Sequence, residues 1–293
     1  MRVLVTGCNG QVGHCLVNEL KDNNTVELLA VDRAELDITD RDIVFQTITE
    51  FKPHFVINAA AHTAVDKAEE EFDLSYAINR DGPLYLAEAA KLVEATILHI
   101  STDYVFPGNK RGEYVEDDET GPLGVYGESK LAGEIALANA NDKHIILRTA
   151  WVFAEHGNNF VRTMLKLGND RDALNIVGDQ FGGPTYAGDI ASALIEIANQ
   201  LDKNADSSKY GVYHFSGLPH VSWFEFAQSI FTKAEKASLL TAPALSSITT
   251  DMYPTPASRP ENSKMSCDKI NQVFGIEPSD WQQALKNIEA YTG

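Results

Sequence analysis

The sequence predicts an α/β protein with a doubly wound parallel sheet and a smaller C-terminal domain. Two observations predict this fold. Short runs of β-branched residues alternate with longer helical patterns through the first half of the chain, and a glycine-rich turn joins the first run to the first helix. Strands and helices that alternate at these lengths form βαβ units, whose strands pair in parallel.

The predicted strands are short and apolar on both faces, as is typical of a parallel sheet covered by helices on each side. They are Val3–Val5, Glu27–Val31, Phe55–Asn58, Ile97–Ser101 and Ile145–Arg148. The segments between them carry apolar residues at helical spacing and predict helices. These helices are Gln11–Lys21, Asp40–Phe51, Asp73–Val93 and Tyr126–Ala140.

The alternation ends near residue 150. Beyond it, helices are predicted at Phe160–Leu167, Tyr186–Gln200, Trp223–Lys233 and Asp280–Ala290, and one further strand, Val212–Phe215, is expected to return to the sheet. We therefore predict a first domain over residues 1–150, rejoined by segments within 174–215. A second, smaller domain over mainly 151–293 is expected to lie above the carboxyl edge of the sheet.

Charge and cysteine content exclude several classes of protein. The 293 residues carry a formal net charge of −18, from 42 acidic and 24 basic residues. Binding to nucleic acid or to an anionic membrane surface needs a positive surface, so neither is expected. The three cysteines form no CxxC pair and are interpreted as reduced thiols. With no signal-peptide pattern and no apolar run of about 18 residues, the sequence predicts a cytoplasmic protein.

The glycine-rich turn runs from Gly7 through Gly10 to Gly13, between the first strand and the first helix. Glycines let backbone N–H groups approach a pyrophosphate at the positive end of a helix dipole, which predicts a Rossmann-type dinucleotide site. Asp32, at the end of the second strand, favours NADH by binding the ribose hydroxyls. The next residue, Arg33, favours NADPH by pairing with its 2′-phosphate, so the sequence leaves the two cofactors open.

Tyr126 and Lys130 form a Tyr-x-x-x-Lys motif on a predicted helix. Their spacing puts both side chains on one helix face, where the ammonium is expected to lower the pKa of the phenol. Thr102 ends the fourth strand and can hydrogen-bond a substrate oxygen. Together the three residues predict a reductase in which hydride moves from the cofactor to a carbonyl carbon while Tyr126 protonates the oxygen.

The spacing of the glycine loop resembles the extended short-chain dehydrogenase/reductase superfamily, and longer motifs narrow the resemblance. Within that superfamily the chain resembles the dTDP-4-dehydrorhamnose reductase family over nearly its whole length. The motifs that carry this resemblance are Asn58–Glu69, Ser101–Gly108, Arg148–Phe153, Gly157–Phe160 and Tyr253–Pro260. The resemblance implies reduction of the 4-keto group of dTDP-4-dehydro-L-rhamnose to dTDP-L-rhamnose with NADH or NADPH.

The resemblance also implies the residues that contact each ligand. The implied cofactor contacts, beside Tyr126 and Lys130, are Gly7, Gly10, Gln11, Val12, Asp32, Arg33, Asp37, Ile38, Ala59, Ala60, Ala61 and Asn79. The implied substrate contacts are Thr63, Val65, Asp66, Phe106, Trp151, Asn159 and Arg259. An arginine suits a diphosphate, because its planar fork can donate two hydrogen bonds at once. The resemblance leaves thymidine and uridine as alternative nucleotides.

Some members of this family bind magnesium through three glutamates at a dimer interface. Alignment by the flanking motifs places Cys15, Gly188 and Gln282 at those positions. None of them is a carboxylate, and a hard divalent cation needs several oxygen ligands. We therefore expect no magnesium site, and we favour a monomer with a homodimer as the alternative.

Two other functions are considered. A nucleotide-sugar dehydratase would place an Asp-Glu pair after the threonine, but Asp103 is followed by Tyr104 here, and an epimerase would lack the Ser101–Gly108 pattern. A non-catalytic regulatory subunit of methionine adenosyltransferase also resembles this family. The complete set of Thr102, Tyr126 and Lys130 favours catalysis over that binding role.

Overall fold

The structure is a computed structural model that describes residues 1–204 and 206–292. Within these ranges the strands are β1 (Arg2–Thr6), β2 (Glu27–Val31), β3 (Phe55–Asn58), β4 (Thr96–Thr102), β5 (His144–Thr149), β6 (Val152–Phe153), β7 (Ala173–Val177), β8 (Phe181–Gly182), β9 (Thr185–Tyr186), β10 (Gly211–His214), β11 (Val221–Ser222), β12 (Ala244–Ile248) and β13 (Asn262–Ser263). The α-helices are α1 (Gln11–Leu20), α2 (Arg41–Phe51), α3 (Val65–Ala68), α4 (Phe72–Tyr76), α5 (Gly82–Leu92), α6 (Val125–Ala140), α7 (Phe160–Asp170), α8 (Ala187–Lys203), α9 (Trp223–Lys236), α10 (Asp268–Phe274) and α11 (Trp281–Ala284). A π-helical turn covers Ala77–Asp81, and 3₁₀ turns cover Asp103–Val105, Ser207–Lys209, Thr250–Met252 and Leu285–Tyr291.

The main sheet has the strand order β10-β5-β4-β3-β1-β2. All of its pairings are parallel. The predicted fold class is thus confirmed, and so is the expected strand near 212–215, which joins the edge of the sheet as β10. β1 and β3 are neighbours whose following helices cover opposite faces, so a crevice opens between them at the carboxyl edge.

Helices cover both faces of this sheet, because its strands are apolar on both sides. α1 and α8 pack on one face around Leu16 and Leu194, and they share that core with Val5 of β1. α2, α5 and α6 pack on the other face, where Ile48 and Leu137 are fully buried. Successive side chains of β1 and β3 point to opposite faces of the sheet, and both faces are covered by helices. Consecutive residues in these strands are therefore apolar, which is the pattern from which they were predicted.

The predicted helix Asp73–Val93 is divided in the structure into α4, a π turn and α5. The backbone N–H of Gly82 donates to the carbonyl of Ala77, five residues earlier. Pro83 follows and has no N–H to continue the ordinary ladder. α6 crosses close to this turn, since a Cβ on Gly133 would lie 1.9 Å from the carbonyl oxygen of Asn79.

The chain after residue 150 builds a second core above the carboxyl edge. Phe153, Phe226, Trp281 and Tyr291 are buried there among α7, α9 and the C-terminal turns. The predicted helix Asp280–Ala290 is shorter than expected, because α11 continues as a 3₁₀ turn. Of the segment 174–215, α8 and β10 return to the main sheet, whereas β7, β8 and β9 pair with strands of the C-terminal half. The division into two domains at residue 150 stays a prediction.

Across residues 1–204 and 206–292, none of the helices is both long and apolar enough to cross a bilayer.

Candidate active site

A cleft of about 550 Å³ opens at the crevice between β1 and β3. Its walls come from the glycine loop, the loop after β3, the end of β4, the start of α6 and the segment after β5. The lining residues are Asn9, Gly10, Gln11, Val12, Ala59, Ala61, Thr63, Val65, Ile100, Ser101, Thr102, Asp103, Tyr104, Tyr126, Lys130, Thr149, Ala150, Trp151, Val152, Gly157 and Asn158. Most of the predicted catalytic and cofactor positions therefore meet in one cavity.

The glycine loop has the geometry of a phosphate cradle. Gly7 has a φ of +68°, and a Cβ there would lie 2.7 Å from the backbone nitrogen of Ala60. Gly13 lies so close to the loop that a Cβ would meet the carbonyl oxygen of Gly7 at 2.0 Å. No side chain caps the start of α1 at Gly10, so the first N–H groups of this ten-residue helix are free to bind an anion.

The end of β2 carries two carboxylates. The backbone N–H of Ala34 donates to Asp32 at 2.8 Å, and the Asn9 amide donates to the other oxygen of the same carboxylate. Glu35 accepts the backbone N–H of Asp32 at 3.0 Å. Arg33 is turned away towards Asp37, at 3.4 Å, with 75% of its side chain exposed. The geometry thus presents carboxylates, and not the guanidinium, beside the glycine loop.

The predicted catalytic residues lie where β4 ends and α6 begins. The Thr102 hydroxyl donates to Asp103 at 2.9 Å, and it lies close enough to the Tyr126 hydroxyl to lower the pKa of that phenol. The ring of Tyr104 contacts the Tyr126 ring edge-on, with centroids 5.4 Å apart. Burial raises the pKa of Asp103 to about 6, although the nearby hydroxyls of Ser263 and Thr102 oppose that change.

The pKa of Tyr126 differs from the sequence-based expectation. Burial raises it to about 12, and the charge of Asp103 adds to this rise, while the nearby hydroxyl of Thr102 opposes it. Burial also lowers the pKa of Lys130 to about 8, against the attraction of Glu134. Desolvation is the largest influence on the pKa of Tyr126, so this side chain is a protonated phenol at neutral pH.

Lys130 is almost fully buried, and its ammonium nitrogen donates to the carbonyl oxygen of Ile100 at 2.7 Å. The same nitrogen lies 3.3 Å from Nε2 of His99, a buried residue in the middle of β4. The sequence analysis did not single out His99, although a histidine inside an otherwise apolar strand was a signal that could have found it.

The loop after β3 is held by Asn79 of the π turn. The backbone N–H of His62 donates to the Asn79 side chain at 2.8 Å, and the Asn79 amide donates to Ser129 at 3.0 Å. Asn79 is buried and does not line the cleft, and its side chain lies behind this loop, so its contact with the cofactor ribose stays a prediction. Ile38 is likewise buried, against Gly82 of α5.

The C-terminal half contributes to the far wall of the cleft. Trp151 has a φ of +49° and stacks on Trp223 at 3.5 Å between ring centroids. Asn159 begins α7, and its amide donates to the Gln11 side chain at 3.0 Å, which ties this half to the glycine loop. Arg259 forms an ion pair with Asp66 at 2.8 Å.

Phe106, a predicted substrate contact, is buried and is not among the residues that line the cleft. Its ring stacks on Tyr114 at 4.2 Å and lies under the guanidinium of Arg148, with 1% exposure. The residues after Thr102 turn as a 3₁₀ segment, which carries this ring into the protein and away from the cleft.

The three positions expected from the magnesium-binding relatives line two different grooves. Cys15 and Gly188 line a common groove together with Glu155 and Asp189, whereas Gln282 lines a separate one. Among residues 1–204 and 206–292, no group of three or more His, Cys, Asp or Glu side chains is arranged to hold a metal ion.

Two cleft hydroxyls that the sequence analysis passed over are those of Ser101 and Thr149. Both are buried, and neither has a hydrogen-bond partner within the described part of the chain. Buried hydroxyls are rarely left without a partner, so these two are suited to bind a polar ligand inside the cleft.

Comparison with known proteins agrees with this geometry. Residues 1–292 match the family model described as the RmlD substrate binding domain. A dTDP-4-dehydrorhamnose reductase of Aggregatibacter actinomycetemcomitans is 54% identical over 99% of both chains. A solved dTDP-4-dehydrorhamnose reductase from Clostridium acetobutylicum has a TM-score of 0.90 and 39% identity, covering 99% of this chain and 98% of the other. One from Bacillus anthracis, in complex with NADP, has a TM-score of 0.88 and 36% identity, covering 98% of each chain. The chain belongs to the dTDP-4-dehydrorhamnose reductase family, a family of NAD(P)H-dependent oxidoreductases with the short-chain dehydrogenase fold.

Proposed function

We propose that this protein reduces the 4-keto group of dTDP-4-dehydro-L-rhamnose to form dTDP-L-rhamnose, with Tyr126 as the proton donor. The observation that carries the proposal is that Thr102, Tyr126 and Lys130 line the same cleft as the glycine loop. The names of the relatives support the choice of sugar.

The cleft fits a nicotinamide dinucleotide. Gly7 and Gly13 let the glycine loop pack directly against neighbouring backbone, and the free N–H groups at the start of α1 suit a pyrophosphate. Ser101 and Thr149 offer hydroxyls without partners among the described residues. When bound, the reduced nicotinamide supplies the hydride. The remaining chemistry falls to residues of the chain.

Tyr126 is suited to be an acid. Since its pKa lies near 12, the phenol holds its proton at neutral pH and can pass it to a substrate oxygen at hydrogen-bond distance. The single proton of the Thr102 hydroxyl is donated to Asp103 in the structure, and we propose that the hydroxyl turns to donate it to the same substrate oxygen when the sugar binds. Lys130 lines the same cleft and is held by the carbonyl of Ile100, and in its protonated form it stabilises the phenolate left behind.

We propose that residues 1–150, together with α8 and β10, bind the cofactor, and that the rest of the chain binds the nucleotide sugar. The aromatic ring of Trp151 can pack against the deoxysugar, and the guanidinium of Arg259 can donate two hydrogen bonds to the diphosphate. Thr63 and Val65 line the cleft beside them. The protein is proposed to act as a monomer in the cytoplasm, where its free cysteines stay reduced.

The test is oxidation of NADH or NADPH by the purified protein, with dTDP-4-dehydro-L-rhamnose and its UDP counterpart as substrates. We expect turnover with the dTDP sugar, and a fall in kcat/KM of about 10³-fold in Tyr126→Phe, within the range that general acid catalysis contributes. Equilibrium binding of the cofactor should change less than about threefold, because the phenol hydroxyl is a small part of that interface.

Tyr210→Phe is the matched control, since it removes a phenol hydroxyl that lies 3.4 Å from Thr96, outside the cleft. It should keep wild-type turnover. A well-folded protein that reduces neither sugar would refute the assigned reaction, and an active Tyr126→Phe would refute the assigned proton donor.

A further inference from the structure

A line of buried polar side chains crosses the main sheet and ends at Lys130. Thr6, Asn58 and His99 are direct neighbours in the register of β1, β3 and β4. Each is at most 1% exposed. Polar groups are costly to bury in a sheet that is otherwise apolar unless they bond to one another, and these do.

The contacts of Asn58 determine which atom of its amide is which. Its Oδ1 accepts the backbone N–H of Ala60 at 3.1 Å, a group that can only donate, and also the hydroxyl of Thr6 at 2.7 Å. Its Nδ2 therefore faces Nδ1 of His99, at 2.9 Å, as a donor. Nδ1 of His99 must accept, so the proton of the neutral imidazole is on Nε2.

The Nε2–H of His99 points at the side-chain nitrogen of Lys130, 3.3 Å away. An ammonium has only donors and would meet this N–H with another N–H. An uncharged amine has a lone pair that can accept it, while its own N–H still donates to the carbonyl of Ile100 at 2.7 Å. The imidazole therefore complements the uncharged form of the lysine.

We propose that His99 is a positioning residue for Lys130: held in one tautomer by Asn58, it donates its Nε2–H to the lysine amine, holds that amine in place and favours its uncharged form. Lys130 is then a group that exchanges a proton near neutral pH, and not a permanently charged one. The proposal rests on the assignment of Lys130 to the catalytic pair, but its test does not depend on turnover.

The other groups around Lys130 do not explain this arrangement. Glu134, one turn further along α6, favours the charged form, but its carboxylate is bound by Arg148 of β5 at 2.7 Å. Tyr126, on the same helix, is uncharged at neutral pH. Burial lowers the pKa of Lys130 to about 8, and burial beside Lys130 also lowers the pKa of His99 well below its ordinary value. Both lowered pKa values agree with a neutral imidazole of His99 beside a Lys130 amine that loses its proton readily.

The first test needs only the wild-type protein. With ¹⁵N-labelled histidine, couplings between the ring nitrogens and ring protons show which nitrogen carries the proton, and His99 is assigned by its loss in His99→Gln. We expect a neutral ring with the proton on Nε2 across neutral pH. A proton on Nδ1, or a charged ring, would overturn the proposal.

The second test follows the titration of Lys130 through its Cε resonance with ¹³C-labelled lysine, assigned by Lys130→Arg. In His99→Leu we expect the midpoint to rise by about one pH unit, because a hydrogen bond to the uncharged amine is lost. His99→Gln keeps an acceptor for Asn58 and a donor for Lys130, so its midpoint should stay within about 0.3 pH unit of the wild type.

Ile97→Val is the packing control, because it trims the same strand within the core without touching the polar line. It should leave the Lys130 midpoint unchanged. A midpoint that is the same in His99→Leu as in the wild type, or lower, would overturn the proposal. If His99→Leu does not fold, the glutamine variant and the ring tautomer still decide the matter. If the protein did not reduce the sugar, the His99 tautomer and the Lys130 titration could still be measured. The proposed function and the proposed role of His99 are therefore tested independently.

Discussion

Arg259 donates two hydrogen bonds to Asp66, at 2.8 and 3.1 Å, and joins the loop around residues 253–260 to the segment after β3. The backbone N–H of Ala257 donates to the same carboxylate at 3.2 Å. The guanidinium is thus held at the boundary between the two halves of the chain, where a nucleotide diphosphate would compete with Asp66 for its fork.

Arg259→Lys should raise KM for the nucleotide sugar about tenfold and leave kcat within about twofold, because a lysine keeps the charge but loses the bidentate geometry. Steady-state kinetics with varied sugar and saturating cofactor measure both constants. Arg171→Lys, an exposed change at the end of α7, is the control and should match the wild type. An unchanged KM in Arg259→Lys would remove this residue from the substrate site.

Asp32→Ala should weaken NADH binding about tenfold, since charged hydrogen bonds to the ribose hydroxyls are lost. NADPH should bind equally well or more tightly, because a carboxylate that opposes the 2′-phosphate is gone. Fluorescence titration gives both dissociation constants. Asp142→Ala removes one charge from a side chain that is 92% exposed and should change neither. Equal weakening of both cofactors would show that Asp32 does not discriminate between them.

Asp103 should make the stability depend on pH. Its pKa is about 6 in the folded protein, above the ordinary value of 3.8 that it has in the unfolded chain, so the folded state holds the proton more tightly. The stability that this proton contributes is fully present below pH 3.8 and is lost as pH rises through 6. The Asp103→Asn variant has no carboxyl proton to lose at this position. The free energy of unfolding of the wild type should therefore fall by about 2–3 kcal/mol relative to that of the variant between pH 4 and pH 7.

Urea denaturation of both proteins at several pH values measures this difference. Asp206→Asn is the control, because the pKa of its carboxyl is lowered by hydrogen bonds from Ser208. For this pair, the free energy of unfolding of the wild type should rise relative to that of Asp206→Asn as the pH increases through the acid range. A constant difference between wild type and Asp103→Asn from pH 4 to pH 7 would contradict the raised pKa.

Gly7→Ala should abolish tight cofactor binding, with a loss of at least about tenfold in affinity. The new Cβ would lie 2.7 Å from the Ala60 backbone, so the loops that form the cradle must separate. Gly112→Ala is matched to it, because Gly112 also has a positive φ, +87°, but open space around its Cβ position. That control should cost about 1 kcal/mol of stability from strain and leave cofactor affinity unchanged.

Local patterns were sufficient for much of the fold and for part of the site. Strands apolar on both faces, Gly7 and its neighbours, and the i, i+4 spacing of Tyr126 and Lys130 depend on residues close together in the chain. These features were therefore predictable. The π turn at Asn79 was not, because Pro83 and the close crossing of α6 at Gly133 act together there.

By itself, the sequence determined the doubly wound sheet and the glycine loop, and it predicted Thr102, Tyr126 and Lys130 as the catalytic residues, since period and spacing are local properties. The tertiary structure alone decided that burial raises the pKa of Tyr126, that Phe106 turns into the core, and that His99 meets Lys130. These outcomes depend on desolvation and on strand register, which bring together groups distant in the chain, and no local pattern encodes them.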